Sequence, residues 1–168
     1  LQWCLKEDIS VINMSFGTVR YSRVLEEAVK KLNGDGVILI GAAGNKGPKK
    51  DSVLYPAKFP EVVAVNASDG SGNIAVYSSR GPEIIFIAPG TNIESTWKNG
   101  GYSKETGTSM AAPQVAGAAA VIIGLLGSVS QQEIVARLRR YTVDLDLPQE
   151  CQGFGRINFD WLKEELNT

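Results

Sequence analysis

The sequence predicts an α/β domain with a predominantly parallel sheet and helices on both faces. Two observations support this prediction. The apolar run at residues 9–14 is followed by a segment of helical periodicity and then by a second apolar run at residues 37–40. A strand, a helix and a strand in this order form a right-handed crossover between parallel strands. Two further short apolar runs, residues 62–65 and 84–87, extend the sheet.

Length and composition fit one globular domain. The chain has 168 residues, of which 43% are hydrophobic and 21% charged, as in ordinary globular proteins. Its 17 basic and 18 acidic residues give no general attraction to nucleic acid or to an anionic membrane. Its longest apolar stretch, residues 116–127, is too short to span a bilayer. We therefore predict no nucleic-acid partner and no membrane partner.

Local signals define the elements of the first half. Residues 1–8 have the spacing of the last turns of an amphipathic helix. A second helix begins at about Ser22 and stops at Asn33-Gly34, where glycine favours a helix end. Residues 41–60 show no periodicity, and a loop of this length inside a domain is usually functional.

The second half is predicted to be mainly helical. Residues 109–126 are small and apolar all round, which predicts a helix enclosed by protein. Ser130 opens a helix that runs to about Arg140, and Asp160 caps a short helix at residues 161–166. The helix at residues 1–8 lacks a capping residue, so we predict that an N-terminal part is missing. Residues 1–168 are then one partial domain.

Two polar residues stand where parallel-sheet proteins carry chemistry. Ser109 lies at the start of the predicted buried helix, where free N–H groups and the helix dipole stabilise a negative oxygen. Asn45 directly follows a buried strand and carries an amide that is able to donate to an oxyanion. Two simpler interpretations stay open: Ser109 only caps the helix, and Asn45 is an ordinary turn residue.

Six motifs, taken in order, resemble those of the subtilisin-like serine proteases. They are Ser15-Phe16-Gly17, Gly41-Ala42-Ala43-Gly44-Asn45, Tyr55-Pro56-Ala57, Ser78-Ser79-Arg80-Gly81-Pro82, Ala88-Pro89-Gly90 and Gly107-Thr108-Ser109-Met110-Ala111-Ala112-Pro113. The resemblance runs from Leu1 to about Asn158 and corresponds to the later, larger part of that family's catalytic domain. It implies a subtilisin-like fold and a serine endopeptidase that works through an acyl-enzyme.

The resemblance also implies roles for individual residues. Ser109 would be the nucleophile, and Asn45 would donate to the oxyanion together with the backbone N–H of Ser109. Leu54 would form the floor of the pocket for the side chain before the scissile bond. Relatives often have a smaller or polar residue there, so we predict a shallow apolar pocket. The other implied substrate contacts are an edge strand at Ser15, Phe16 and Gly17, a pocket wall at Ala42, Ala43 and Gly44, and Thr108.

Three further expectations follow from the resemblance. No cofactor is required for the chemistry, but a structural calcium or monovalent cation would bind the main-chain carbonyls of Ala57, Phe59 and Val62. The peptide bond before Pro56 would be cis. The resemblance favours secretion, although no signal sequence is observable in this chain.

The chain contains no histidine, so an imidazole base must come from outside it. In subtilisin-like enzymes the aspartate and histidine precede the serine, whereas in α/β-hydrolases they follow it. We therefore expect both on the missing N-terminal segment and predict that this chain alone is nearly inactive. Its partners would be a polypeptide substrate and its own N-terminal segment or a companion chain. The alternative is a catalytically silent relative that acts as a peptide-binding or regulatory module.

Overall fold

The computed structural model describes residues 1–161. Within these residues there are one six-stranded sheet, a separate two-stranded hairpin and four helices with given bounds. The strands are β1 Val11–Met14, β2 Ile38–Ala42, β3 Val63–Ser68, β4 Ile84–Pro89, β5 Ile93–Thr96, β6 Tyr102–Glu105, β7 Thr142–Val143 and β8 Arg156–Ile157. The helices are α1 Arg23–Gly34, α2 Thr108–Leu126, α3 Gln131–Arg139 and α4 Gln149–Gln152, with short 3-10 turns at Cys4–Lys6 and Lys98–Gly100.

The six-stranded sheet has the order β1-β2-β3-β4-β8-β7. Strands β1 to β4 are all parallel, and β8 pairs in parallel with β4. Only the short edge pair β7 and β8 is antiparallel. The predicted parallel sheet is therefore confirmed, and strands β1 and β2 end side by side at its carboxyl edge.

Helices cover both faces of the sheet, as predicted. In β2 alternate side chains point to opposite faces. Ile38 and Ile40 pack with α2 and α3 in the larger core, whereas Leu39 packs with Val29 and Leu32 of α1 in the smaller one. This arrangement fixes α2 across the strands that carry the candidate site.

Two predicted helix starts are confirmed by their caps. The Ser22 hydroxyl accepts a hydrogen bond from the Leu25 N–H, and the Ser130 hydroxyl accepts one from the Glu133 N–H. The helix predicted at residues 1–8 is wrong, since only a 3-10 turn at Cys4–Lys6 forms there. So short a segment gains too few hydrogen bonds to offset helix nucleation. The helix predicted at residues 161–166 lies outside the described residues except for its first position.

Helix α2 departs from the sequence prediction in its surroundings. It is not enclosed on all sides, because Pro113, Gly117, Ala120 and Gly124 form an exposed stripe of small residues. Within residues 1–161 it is also the one helix long and apolar enough to span a bilayer by length and composition. The opposite face of α2 packs on the sheet, which is the situation of a core helix. The predicted absence of a membrane partner stays a prediction.

Candidate active site

The candidate site lies at the carboxyl edge of the sheet, where β1 and β2 end and α2 begins. Parallel-sheet proteins bind ligands in this position. A cleft of about 290 Å³ opens there. It is lined by Ser15, Phe16, Gly17, Ala42, Gly44, Asn45, Lys46, Leu54, Thr108 and Ser109. All of these except Lys46 were predicted from the sequence.

Ser109 lies in the first turn of α2, where its backbone N–H has no intrahelical acceptor. Gly107 precedes the helix with φ of 158°, in a region that favours glycine. A Cβ on Gly107 would stand 3.0 Å from the Asn45 side-chain nitrogen. The absence of a side chain at Gly107 therefore allows Asn45 to approach the helix end closely.

Thr108 fixes the orientation of the Asn45 amide. The Asn45 Oδ1 accepts hydrogen bonds from the backbone N–H and the hydroxyl of Thr108, both at 3.0 Å. The Thr108 hydroxyl also accepts a bond from the Gly44 N–H at 3.1 Å. Because the oxygen of the amide is bound in this way, its NH₂ group is left to donate to a ligand in the cleft.

A reciprocal pair of hydrogen bonds joins Ser109 to the end of β1. The Ser109 hydroxyl donates to the Ser15 carbonyl at 3.2 Å, and the Ser15 hydroxyl donates to the Ser109 carbonyl at 2.9 Å. The Ser15 hydroxyl in turn accepts a bond from Asn13 Nδ2 at 3.0 Å. Pro113 explains why the Ser109 carbonyl has no intrahelical donor and accepts from Ser15 instead, since a proline four residues later supplies no N–H to it.

Replacing Ser15 by Ala is expected to lower the free energy of unfolding by about 1 kcal/mol, because the Ser109 carbonyl loses its donor. Urea denaturation of the chain measures this change. Ser10→Ala is the control, since Ser10 is exposed and its side chain has no hydrogen bond within residues 1–161. It should shift the stability by less than about 0.5 kcal/mol. Equal losses in the two variants would contradict this role of Ser15.

Leu54 fills the space between the two walls of the cleft. A Cβ on Gly17 would stand 2.8 Å from the Leu54 Cβ, and a Cβ on Gly44 would stand 2.7 Å from its Cγ. The leucine side chain therefore occupies the room that the two glycines leave. The cleft that remains beside Ser109 is bounded by this apolar side chain.

At two of the segments expected to contact the substrate the local structure differs from the prediction, and the contacts themselves stay predictions. Residues 15–17 do not belong to a strand, because β1 ends at Met14 and pairing resumes only at Thr18, which bridges Tyr55. They form a segment without assigned secondary structure that follows the edge strand directly. Ala43 is fully buried in a cluster with Val53 and is not among the residues that line the cleft.

The structure supports one requirement of the predicted cation site and not another. Ala57, Phe59 and Val62 are all buried in the turn before β3, but the Phe59 carbonyl already accepts a hydrogen bond from the Val62 N–H at 3.0 Å. Within residues 1–161 no group of three or more His, Cys, Asp or Glu side chains is placed to share a metal ion. A cation here would rely on neutral carbonyls, and the site stays a prediction. The peptide bond before Pro56 is cis, as expected.

Three residues that support the candidate site were not predicted from the sequence. Asn13 supports the Ser15 hydroxyl, and Pro113 frees the Ser109 carbonyl. Gln114 donates to the Pro89 carbonyl at 2.6 Å and to the Met110 carbonyl at 3.0 Å, which ties α2 to the end of β4. Of the three, only Pro113 was detectable in advance, as a proline within a helical pattern.

The geometry defines a predominantly parallel α/β protein with a serine and an amide donor at the amino end of α2, a helix that packs on the sheet. A family model described as the subtilase family matches residues 1–155. The chain therefore belongs to the subtilase family.

Individual relatives agree with this assignment. The chain is 40% identical over 148 residues to a thermostable alkaline protease of Halalkalibacterium halodurans, covering 88% of this chain and 40% of the relative. It is 38% identical over 162 residues to subtilisin DY of Bacillus licheniformis, covering 95% and 59%. The solved structure of sphericase superposes with a TM-score of 0.85 at 30% identity, covering 95% and 60%. The chain thus spans about two to three fifths of the length of these proteins.

Proposed function

We propose that this chain is the nucleophile-bearing part of a serine endopeptidase that hydrolyses peptide bonds through an acyl-enzyme. One observation carries the proposal. The Ser109 hydroxyl, the Ser109 backbone N–H and the oriented side-chain amide of Asn45 lie in one cleft. Family membership supports the same reaction class, since the relatives described above are proteases. We also propose that the parent protein is secreted, on the family resemblance.

In the proposed mechanism the Ser109 hydroxyl attacks the carbonyl carbon of the scissile bond. Its proton, donated in the free chain to the Ser15 carbonyl, passes to a base supplied by polypeptide outside these residues, because the chain has no histidine. The oxyanion that forms accepts hydrogen bonds from Asn45 Nδ2 and the Ser109 N–H. The base then protonates the leaving amine, and water hydrolyses the acyl-enzyme.

The segment at Ser15, Phe16 and Gly17 is proposed to pair with the substrate backbone. It continues the edge strand β1 along the cleft, and an extended peptide adds readily to such an edge. Phe16 is exposed and is available to contact a substrate side chain. Leu54 restricts the side chain that precedes the scissile bond to a small one.

Replacing Leu54 by Gly is expected to raise kcat/KM for phenylalanine substrates relative to alanine substrates by at least about 10–200-fold, the range for a single methylene in an apolar pocket. The reason is that removing Leu54 opens the space between Gly17 and Gly44. Rates on a matched pair of peptides measure the ratio. Leu126→Gly, at the exposed end of α2, should leave the ratio unchanged. An unchanged ratio in Leu54→Gly would contradict the role of Leu54 as pocket floor.

The proposed function is tested by peptide hydrolysis with two samples, the 168-residue chain and the whole gene product that contains it. We expect hydrolysis by the whole product and almost none by the isolated chain, because a serine without a base is a weak nucleophile. If both samples bind peptide in the cleft and neither hydrolyses it, the catalytically silent peptide-binding alternative replaces the protease.

A further inference from the structure

A second cavity adjoins the candidate cleft. It encloses about 580 Å³ and shares two lining residues with the cleft, Lys46 and Leu54. We call it the lysine groove. It is lined by Val19, Tyr21, Lys46, Lys49, Asp51, Ser52, Val53, Leu54, Tyr55 and Lys58. A peptide bound in the cleft therefore has a continuous surface that leads around Leu54 into this groove.

The lysine groove is positively charged, although the whole chain carries a net charge of −1. Lys46, Lys49 and Lys58 line it, against a single carboxylate, Asp51. Lys46 and Lys49 are exposed and form no ion pair within residues 1–161. Lys58 is partly compensated, since its ammonium lies 3.7 Å from Glu83. Two uncompensated cations thus stand beside the candidate substrate path.

The loop that carries these lysines is held in place by the rest of the fold. The Lys46 N–H donates to the Ser79 hydroxyl at 3.3 Å, and the Gly47 N–H donates to the Tyr77 carbonyl at 2.9 Å. A Cβ on Gly47 would overlap the Ser78 carbonyl, so the contact requires glycine there. The positions of the lysine backbones are therefore set before a ligand binds.

The other wall of the lysine groove is apolar and aromatic. Val19 is 71% exposed, and Tyr21 meets Tyr55 edge to face with ring centroids 5.9 Å apart. A ligand that fits both walls has carboxylates facing the lysines and aliphatic carbons facing the rings. Glutamate side chains of an extended peptide meet this description, because each has a carboxylate on a short aliphatic stem.

We propose that the lysine groove binds acidic side chains of the polypeptide substrate and gives the protein a preference for glutamate-rich segments next to the scissile bond. The inference rests on the proposed function, since it assigns a substrate class to the same site. Charge complementarity between Lys46, Lys49 and the glutamates provides the selectivity.

The test compares two fluorescein-labelled peptides, one with a run of glutamates and the other with glutamines at the same positions. Fluorescence anisotropy measures their binding to the 168-residue chain. We expect the glutamate peptide to bind about tenfold more tightly, the contribution of two exposed ion pairs. The difference should shrink when NaCl is raised from about 20 mM to about 200 mM, because salt screens exposed charges.

Charge-reversal variants test whether the preference for the glutamate peptide comes from the lysine groove. The double variant Lys46→Glu and Lys49→Glu should abolish the preference for the glutamate peptide. The control variant Lys6→Glu and Lys98→Glu makes the same change in net charge at two exposed lysines that line neither cavity. It should keep the preference. Equal binding of the two peptides by the wild type, or equal losses in the two double variants, would overturn the proposal.

These outcomes are separable from failure of the proposed function. A fluorophosphonate adduct on Ser109 without glutamate preference overturns the lysine groove proposal and leaves the peptidase proposal in place. Glutamate-selective binding without hydrolysis by the whole gene product overturns the peptidase proposal, and the lysine groove then serves a peptide-binding module.

Discussion

Replacing Ser109 by Ala is expected to reduce kcat of the whole gene product by about 10⁶-fold, a magnitude taken from removal of the nucleophile in subtilisin. Without the hydroxyl no acyl-enzyme forms, and only water held near the oxyanion donors remains as a nucleophile. Initial rates of peptide hydrolysis measure the loss. Among residues 1–161 the Ser109 hydroxyl donates only to the Ser15 carbonyl, so the fold should be retained.

The control for this variant is Ser95→Ala. Ser95 lies in β5, is exposed, and makes no side-chain hydrogen bond within residues 1–161. Its replacement should leave the rate unchanged. A Ser109→Ala protein that keeps more than about a tenth of the wild-type rate would show that another group is the nucleophile, since loss of a true nucleophile costs far more.

Replacing Asn45 by Ala is expected to reduce kcat by about 10²–10³-fold with little change in KM. This magnitude is also borrowed from subtilisin, where the corresponding asparagine was removed. The amide would stabilise charge that exists only in the transition state, so its loss affects the chemical step rather than substrate binding. Steady-state kinetics separate the two parameters.

Asn45→Ala also removes the acceptor of two bonds from Thr108, so a second variant is needed. Asn45→Asp keeps an oxygen for Thr108 and removes the NH₂ donor. It should be at least as slow as Asn45→Ala while unfolding at a urea concentration close to wild type. Asn33→Ala in α1, where the side chain makes no hydrogen bond within residues 1–161, should be fully active. Normal activity of Asn45→Asp would exclude the donor role.

The core of the sheet was predictable because its strands carry strong local signals. Strands β2 and β3 are buried along their whole length, and each begins within a continuous apolar run, residues 37–40 and residues 62–65. The hairpin of β5 and β6 was missed, since exposed polar residues such as Glu94 and Lys104 face each other across it. Strands β7 and β8 have two residues each, which is too short for any periodicity.

The candidate site was predictable in its residues but not in its contacts. Ser15 and Ser109 are 94 positions apart in the chain, and only the fold brings their hydroxyls and carbonyls together. Motif order identified both segments, whereas the support from Asn13 and Pro113 depends on geometry. The lysine groove was not predictable either, because a run of lysines in a loop is usually an ordinary solvated surface.

The exposed stripe on α2 shows that amino-acid composition alone does not predict which side of a helix is buried. Small apolar residues on every side predicted a fully enclosed helix, but Gly117 and Gly124 face outward within residues 1–161. Glycine and alanine expose little apolar area, so their exposure costs little free energy. Burial of such a helix therefore follows from its neighbours rather than from its own sequence.

The most direct test of the central claim is the intact mass of the 168-residue chain after incubation with a fluorophosphonate, with and without added imidazole. The reagent phosphonylates a serine whose hydroxyl is activated, and imidazole supplies the base that the chain lacks. We predict a single adduct on Ser109 that forms much faster with imidazole and is absent from Ser109→Ala. An adduct on another serine, or none with imidazole present, would contradict the assignment of Ser109 as the nucleophile.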